Sequence, residues 1–165
     1  MPSSLVLDSG AFYSGIAFLS SSVSTFCITE AVFDEVRHIK SSYAALQALL
    51  ESGKLQIFEP GKAYMDKVAA IARKTGDNMM LSAADLSIIA LALQLKIPLV
   101  TDDYAASNVA SVLGIPVKPA SSGKGIKETR RWVNYCSACG RTFGPDSKEC
   151  PLCGNKLKRK YRKVT

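Results

Sequence analysis

Two predicted strands of this sequence end in carboxylates. Asp8 follows an apolar strand at 5–7, and Asp102 and Asp103 follow a second one at 97–100. Each has an ordinary explanation, since Asp8 suits a turn and Asp103 suits the N-cap of a following helix. The alternative is that the strands are neighbours in one parallel sheet. Their acids would then meet at its carboxyl edge, where such sheets bind ligands.

Two further acids lie on predicted helices. Asp85 is one turn into the apolar helix 82–95, and helical spacing places it on the same side as Ile88. It either caps its own helix or faces the acids of the strand ends. On helix 29–38, the same spacing predicts that Glu35 leans inward and that Asp34 leans outward.

Carboxylates brought together from separate segments need compensation, because like charges at short distance oppose one another's ionisation. Divalent cations supply it, and oxygen-only ligands favour one or two Mg²⁺ or Mn²⁺ ions over zinc. Metal ions in such a site activate water and stabilise the attacking and leaving oxygens of a phosphodiester. The pattern therefore predicts a metal site with hydrolytic chemistry.

Four of the five cysteines form a separate site near the C-terminus. Cys136 and Cys139 make one C-x₂-C pair, Cys150 and Cys153 make another, and ten residues separate the pairs. This spacing predicts one structural Zn²⁺ ion in a closed Cys₄ shell. The surrounding segment is too short for a hydrophobic core, so we expect the zinc to supply its folding energy.

The elements that must position these residues alternate along the chain. Apolar runs predict strands at 5–7, 25–28, 55–58, 97–100 and 115–117, with helices at 11–19, 29–38, 42–51, 63–74, 82–95 and 108–113. Alternating strands and helices predict an α/β fold, with a parallel sheet flanked by helices, followed by the small zinc ribbon.

Charge is divided unevenly along the 165 residues. Residues 1–119 carry nine Lys and Arg against eleven Asp and Glu, whereas residues 120–165 carry twelve against three. A basic end on a slightly acidic body predicts a polyanionic partner, with nucleic acid favoured over membrane. The sequence shows no secretion signal and no long apolar run, so we expect a cytoplasmic protein.

Basic and aromatic side chains are interleaved around the cysteines, as on nucleic-acid-binding surfaces. For Trp132 the alternative is packing in the ribbon's small core, and we expect the basic tail to be largely solvated. The predicted RNA-binding residues are Lys124, Lys127, Arg130, Arg131, Trp132, Tyr135, Arg141, Lys148, Lys156, Lys158, Arg159, Lys160, Arg162 and Lys163.

Several stretches together resemble a known family. Leu-Val-Leu-Asp8, Thr-Glu-Ala-Val-Phe-Asp-Glu35, Leu-Ser-Ala-Ala-Asp85 and Val-Thr-Asp-Asp103 resemble the PIN-domain nucleases in their order. A narrower resemblance is to the Nob (Nin-one-binding) endonucleases of ribosome assembly, in their compact archaeal form. It rests on Lys-Thr-Gly-Asp77, on the segments at 81–93 and 101–110, and on the C-terminal ribbon.

The resemblance implies a metal-dependent endoribonuclease that trims the 3′ end of precursor small-subunit rRNA within the pre-small ribosomal subunit, with other assembly factors as possible partners. Asp8, Glu35, Asp85 and Asp103 match the family's acidic positions, and Asp102 remains the alternative at the doublet. The rivals are a non-catalytic RNA-binding assembly factor, a zinc-ribbon adaptor for another protein, and a toxin-type PIN ribonuclease. The predicted division is a nuclease domain at 1–119, a flexible linker at 120–130, the ribbon at 131–158 and a basic tail at 159–165.

Overall fold

The computed structural model describes residues 3–19, 23–38, 40–120, 130–144 and 146–163. The body contains, in chain order, β1 (Ser3–Leu7), α1 (Ser9–Tyr13), α2 (Ile16–Leu19), β2 (Val23–Ile28), α3 (Glu30–Arg37), α4 (Lys40–Glu51), β3 (Leu55–Ile57), α5 (Lys62–Thr75), α6 (Ala83–Leu95), β4 (Leu99–Val100), α7 (Tyr104–Val112) and β5 (Val117–Lys118). The ribbon contains β6 (Arg130–Cys136), β7 (Thr142–Phe143) and β8 (Leu157–Lys163). The predicted α/β fold is confirmed.

The body's five strands form one parallel sheet in the order β3-β2-β1-β4-β5. The chain leaves β1 toward β2 on one side and returns to β4 on the other. The boundary between β1 and β4 is therefore the topological switch point, where open α/β sheets bind ligands. The amide of Asp8 donates to the carbonyl oxygen of Val100 at 3.2 Å, which joins the two strands at their carboxyl ends.

Helix α6 is the central helix of the core. Its residues Ser87 to Ala92 are buried, and Ile88, Ile89 and Leu91 are completely enclosed. A helix that is apolar around its circumference must be covered on all sides, and α6 packs against β1, α3, α5 and α7. This packing fixes the start of α6, and with it Asp85, against the sheet.

Two predicted helices differ from the observed ones by more than two residues or by an interruption. The helix expected at 11–19 is divided into α1 and α2, because Gly15 adopts a left-handed conformation (φ +80°) that interrupts the helical ladder. The helix expected at 108–113 begins earlier, at Tyr104, because the Asp103 side chain accepts a hydrogen bond from the amide of Ala106 and caps it.

The ribbon is an antiparallel sheet with β6 between β7 and β8. Residues Arg130 to Cys136 pair in register with Lys163 to Leu157, so the sheet extends past the predicted ribbon boundaries at both ends. The basic segment expected to be a largely solvated tail is paired backbone as far as Lys163. Most of the predicted linker, including Lys124 and Lys127, lies outside the described residues.

No described helix has the length and apolar composition needed to cross a bilayer.

Candidate active site and metal centre

Asp8 is a buried carboxylate at the end of β1, with an exposed fraction of 6%. It is the N-cap of α1, where its Oδ1 accepts a short hydrogen bond from the amide of Ala11. Its Oδ2 accepts a short hydrogen bond from the hydroxyl of Thr101, which follows β4. Two strand ends and one helix start therefore hold this carboxylate in a single orientation.

Asp85 is half-buried at the third position of α6. Its Oδ2 accepts from the amide and the hydroxyl of Ser82, at 2.7 and 2.8 Å, and the Asp85 amide donates back to the Ser82 hydroxyl at 3.1 Å. This reciprocal capping box confirms the simpler interpretation of Asp85. Asp85 also lies close enough to Asp8 for its negative charge to raise the pKa of the Asp8 carboxyl.

The two acids of the doublet have different neighbours. Asp103 caps α7 through Ala106 at 2.7 Å, and its own amide donates to the Thr101 hydroxyl at 3.0 Å. Asp102 is exposed, accepts from the amide of Ala120 at 3.0 Å, and its charge acts on Asp8. The structure thus brings together Asp8, Asp85 and the Asp102-Asp103 segment at the carboxyl edge of the sheet.

The electrostatics of the cluster centre on Asp8. Burial raises the pKa of this carboxyl above its ordinary value, the hydrogen bonds from Thr101 and Ala11 oppose the increase, and the charges of Asp85 and Asp102 add to it. A cation bound between these carboxylates would remove the like-charge repulsion. The acids therefore fit a divalent metal in the chemistry of their donor atoms.

Glu35 occupies a more open position than its spacing predicts. Its side chain is exposed, whereas Asp34 is half-buried and pairs with Arg37 at 3.1 Å. The predicted inward and outward assignment of these two acids is wrong, because α3 buries its face through Val32 and Val36. The hydroxyl of Tyr13 on α1 donates to the backbone carbonyl of Glu35 at 3.2 Å, so α3 still adjoins the helix that Asp8 caps. Membership of Glu35 in the acid site stays a prediction.

No three of these acids are close enough together to bind one metal ion directly. Among the described residues, no three carboxylates bring oxygen atoms within 4.8 Å of one another. Two ligands of one Mg²⁺ ion, each about 2.1 Å from the metal, lie at most about 4.2 Å apart. A metal ion here would therefore be held directly by one or two carboxylates, with water or substrate oxygens completing its shell, as is usual for Mg²⁺.

The four cysteines are arranged differently, as a closed shell. Their sulfur atoms all lie within 4.8 Å of one another, with Cys136 and Cys153 at 3.5 Å and Cys139 and Cys150 at 3.7 Å. Four sulfurs bound tetrahedrally to Zn²⁺ at about 2.3 Å lie about 3.8 Å from each other. The observed separations match this value, so the cluster fits zinc in geometry and in donor type.

The backbone of each C-x₂-C pair forms a tight turn around its first cysteine. The amides of Gly140 and Gly154 donate to the carbonyls of Cys136 and Cys150, and both glycines are left-handed, with φ near +70°. The Cys139 amide also points at the Cys136 sulfur, at 3.5 Å. This amide is the largest of several donors that lower the pKa of the Cys136 thiol to about 6, which favours the thiolate form that binds metal, whereas the pKa values of Cys139 and Cys153 are raised.

The predicted RNA-binding residues divide between two sides of the ribbon sheet. Tyr135 and Lys160 meet on one side, with the Lys160 Nζ 4.7 Å from the ring centroid. Trp132 and Arg159 meet on the other side, with the Arg159 Cζ 4.4 Å from the indole centroid. The exposed members of the described set are Arg141, Lys148, Lys156, Lys158 and Arg159. For Arg130, Arg131, Arg162 and Lys163 the structure describes the backbone, as part of β6 and β8.

Sequence reasoning gave no role to Thr101 or to the pair Asp77 and Asn108. Thr101 is buried and orients Asp8, and its place between a strand and an acid doublet was the one signal that pointed to it. Asp77 is completely buried and accepts from the Asn108 amide group at 2.6 Å. Nothing in local periodicity predicts that pair, because 31 residues separate its members.

Comparison with known proteins agrees with this geometry. The sequence model of the family described as "PIN domain of ribonuclease" matches residues 5–95. The chain is 38% identical to the endoribonuclease Nob1 of Pyrococcus abyssi, over 93% of this chain and 91% of that protein. It is also 38% identical to the ribonuclease VapC1 of Thermoplasma acidophilum, over 66% of this chain and 56% of that protein.

A eukaryotic relative matches a smaller part. The 20S-pre-rRNA D-site endonuclease NOB1 of Saccharomyces cerevisiae is 34% identical over 48% of this chain and 17% of that protein. The archaeal match spans both the body and the cysteine ribbon, since it covers nearly the whole of each chain. The chain therefore belongs to the PIN-domain ribonucleases and, among them, to the Nob family of endoribonucleases.

Proposed function

We propose that this endoribonuclease cleaves precursor small-subunit rRNA at its 3′ end, in the cytoplasm and within the pre-small ribosomal subunit. The observation that carries the proposal is the combination of a PIN body and a Cys₄ ribbon in one chain, aligned over 91% of the archaeal Nob1 protein. The name of the yeast relative specifies a pre-rRNA site. Other assembly factors are expected to share this substrate.

The proposed chemistry is metal-dependent hydrolysis at the acid cluster. Asp8, Asp85 and Asp103 would hold one or two Mg²⁺ or Mn²⁺ ions, with Glu35 and Asp102 as further acids of the site. Bound ions would supply an activated water and stabilise the departing oxygen, leaving a 5′-phosphate and a 3′-hydroxyl. The chain's own contribution is orientation, because Thr101 and the α1 amide hold Asp8 while Ser82 holds Asp85.

The ribbon is proposed to supply most of the RNA affinity. Its segment is strongly basic while the body is slightly acidic, so the body alone repels a phosphate backbone until metals bind. Tyr135 with Lys160 offers an aromatic ring beside a cation, which suits an unpaired base and its phosphate. One Zn²⁺ ion on the four cysteines would hold this surface together.

The test is cleavage of an RNA that contains the 3′ end of the small-subunit rRNA and its precursor extension. We expect one principal cut with Mn²⁺, with loss of cutting in chelator and in the Asp8→Asn variant. An RNA of the same length with the cleavage region scrambled is the matched control. Equal cleavage of both RNAs would contradict rRNA processing and would favour the general, toxin-type ribonuclease suggested by the VapC1 similarity.

A further inference from the structure

The ribbon lies against the body in this structure. Strand β6 packs beside α5, and the guanidinium of Arg159 on β8 donates a short hydrogen bond to the carbonyl oxygen of Gly76. Met79, which is 81% exposed, lines a cavity of about 520 Å³ together with Asn134 and Leu157 of the ribbon. The ribbon and the loop between α5 and α6 therefore face each other at more than one point.

Arg159 is held firmly from the ribbon side. Its guanidinium stacks over the Trp132 ring at 4.4 Å, and that ring meets Tyr161 edge-on with centroids 5.6 Å apart and planes at 77°. A guanidinium on an indole face gains cation–π attraction and loses side-chain freedom before it meets any acceptor. The ribbon thus presents Arg159 in a preset direction.

The body offers a fixed acceptor at the matching place. Gly76 follows the last turn of α5 in a left-handed conformation, and the amides of Asp77 and Asn78 both donate back to the Ala72 carbonyl. The carbonyl end of a helix carries partial negative charge, so a guanidinium is favoured there. The next residue, Asp77, is a completely buried carboxylate whose Oδ1 has no hydrogen-bond partner among the described residues.

The contact lies on the segment that leads to the acid site. The loop after Gly76 leads to Ser82, which is the N-cap of α6 and donates a hydrogen bond to the Asp85 carboxylate. Asp77 is bonded to Asn108 of α7, the helix whose N-cap is Asp103. One short loop is therefore tied to both acid-bearing helices and to the ribbon.

We propose that Arg159 is a positioning residue, which holds the zinc ribbon on the α5–α6 loop so that RNA carried by the ribbon is presented to the acid site. The charge of Arg159 contributes to RNA affinity no more than that of any neighbouring lysine. Its contact with Gly76 sets the position of the RNA-binding ribbon relative to the acid site. The proposal rests on the metal-dependent cleavage proposed above, but its structural part is measured without RNA.

The first experiment is ¹⁵N relaxation of the full, zinc-loaded chain. We expect the ribbon and body amides of the wild-type protein to report one common tumbling time. In Arg159→Gln the ribbon should tumble measurably faster than the body, with amide shifts concentrated at Gly76 and Asp77. The matched control is Lys158→Gln, which removes the same charge from the adjacent exposed position on the strand and should leave tumbling unchanged. Independent tumbling in the wild-type protein, or identical behaviour of the two variants, would overturn the proposal.

The second experiment separates positioning from affinity in RNA cleavage with Mn²⁺. A small misplacement of the reacting groups lowers turnover by up to about 100-fold, so Arg159→Gln should lower kcat at least about 10-fold at saturating RNA. Lys158→Gln should act on KM and leave kcat within about twofold. Equal kcat values for the two variants would refute a positioning role. Absence of cleavage by the wild-type protein would refute the proposed metal chemistry, and the relaxation result would then still decide the contact.

Zinc content is measured first, so that unfolding of the ribbon is not mistaken for separation of a folded ribbon from the body. If Arg159→Gln fails to retain zinc, Arg159→Lys replaces it. This variant keeps the strand's charge but lacks the planar guanidinium that stacks on Trp132 and reaches Gly76. Its ribbon should also tumble independently, and a ribbon that stays bound to the body would count against the proposal.

Discussion

Replacement of Asp8 by Asn and by Ala separates the chemical role of this residue from its structural one. Both substitutions remove the charge that a metal ion needs, so we expect cleavage to fall at least about 100-fold in each. Asn keeps the N-cap of α1 and can still pair with the Thr101 hydroxyl, whereas Ala leaves the Ala11 amide and that hydroxyl without their acceptor. The two variants therefore share the loss of charge and differ in hydrogen bonding and in the volume of a buried side chain.

The expected difference in stability follows from those two bonds. Loss of an N-cap costs about 1 kcal/mol, and loss of one further buried hydrogen bond costs about 1 kcal/mol. The free energy of unfolding of Asp8→Ala should thus lie about 2 kcal/mol below that of Asp8→Asn. For a protein of this size, that corresponds to a melting temperature lower by about 4–8 °C.

The pH dependence has a definite sign. The pKa of Asp8 in the folded protein is raised above its ordinary value of 3.8, mainly by burial, so the ionised carboxylate opposes folding. Without metal, the wild-type protein should lose stability relative to Asp8→Asn as the pH rises from about 3.8 through the raised value. The gap should then stay constant at higher pH. Below pH 3.8 the pH-dependent part of the gap should vanish, since Asp8 is then protonated in both the folded and the unfolded chain.

Thermal denaturation by circular dichroism, with and without Mn²⁺, measures these quantities beside a cleavage assay. Mn²⁺ at about 100 times its dissociation constant should stabilise the wild-type protein by about 2.7 kcal/mol and should leave Asp8→Asn unchanged. An Asp8→Asn enzyme that cleaves at the wild-type rate would refute the metal site. Equal melting temperatures for the Asn and Ala variants would refute the hydrogen-bonding argument.

Three further predictions address the other parts of the molecule. Asp103→Asn should abolish cleavage without loss of stability, since Asn also caps α7, whereas Asp102→Asn should only weaken cleavage; the reverse order would move the site by one residue. Cys139→Ser should release zinc and unfold the ribbon, while the body keeps its circular dichroism signal and its melting transition. If the body unfolds together with the ribbon, the two are not separately stable. Deletion of residues 120–165 should weaken RNA binding at least about 10-fold and make it less dependent on salt. The slope of log affinity against log salt concentration should fall by roughly 0.7 for each phosphate that the shortened chain no longer neutralises. Unchanged binding would place the RNA on the body.

The sequence by itself determined the local features of this protein. Ser82 and Asp85 form the expected capping box because both partners lie within one helical turn. The two C-x₂-C pairs form the expected sulfur cluster because each pair closes a short turn on a glycine. The alternation of apolar segments was sufficient to predict the parallel α/β body, since each strand and helix carries its own period.

Tertiary structure decided everything that depends on segments distant in the chain. Whether Asp8 would be buried depended on β4 lying beside β1 and delivering the Thr101 hydroxyl, 93 residues away. Glu35 proved exposed because the burial of α3 is set by the elements packed on it, which helical spacing alone does not specify. The approach of Arg159 to Gly76 spans 83 residues and joins the ribbon to the body. Such contacts leave no periodic trace in a single sequence, because neither partner's local conformation requires the other.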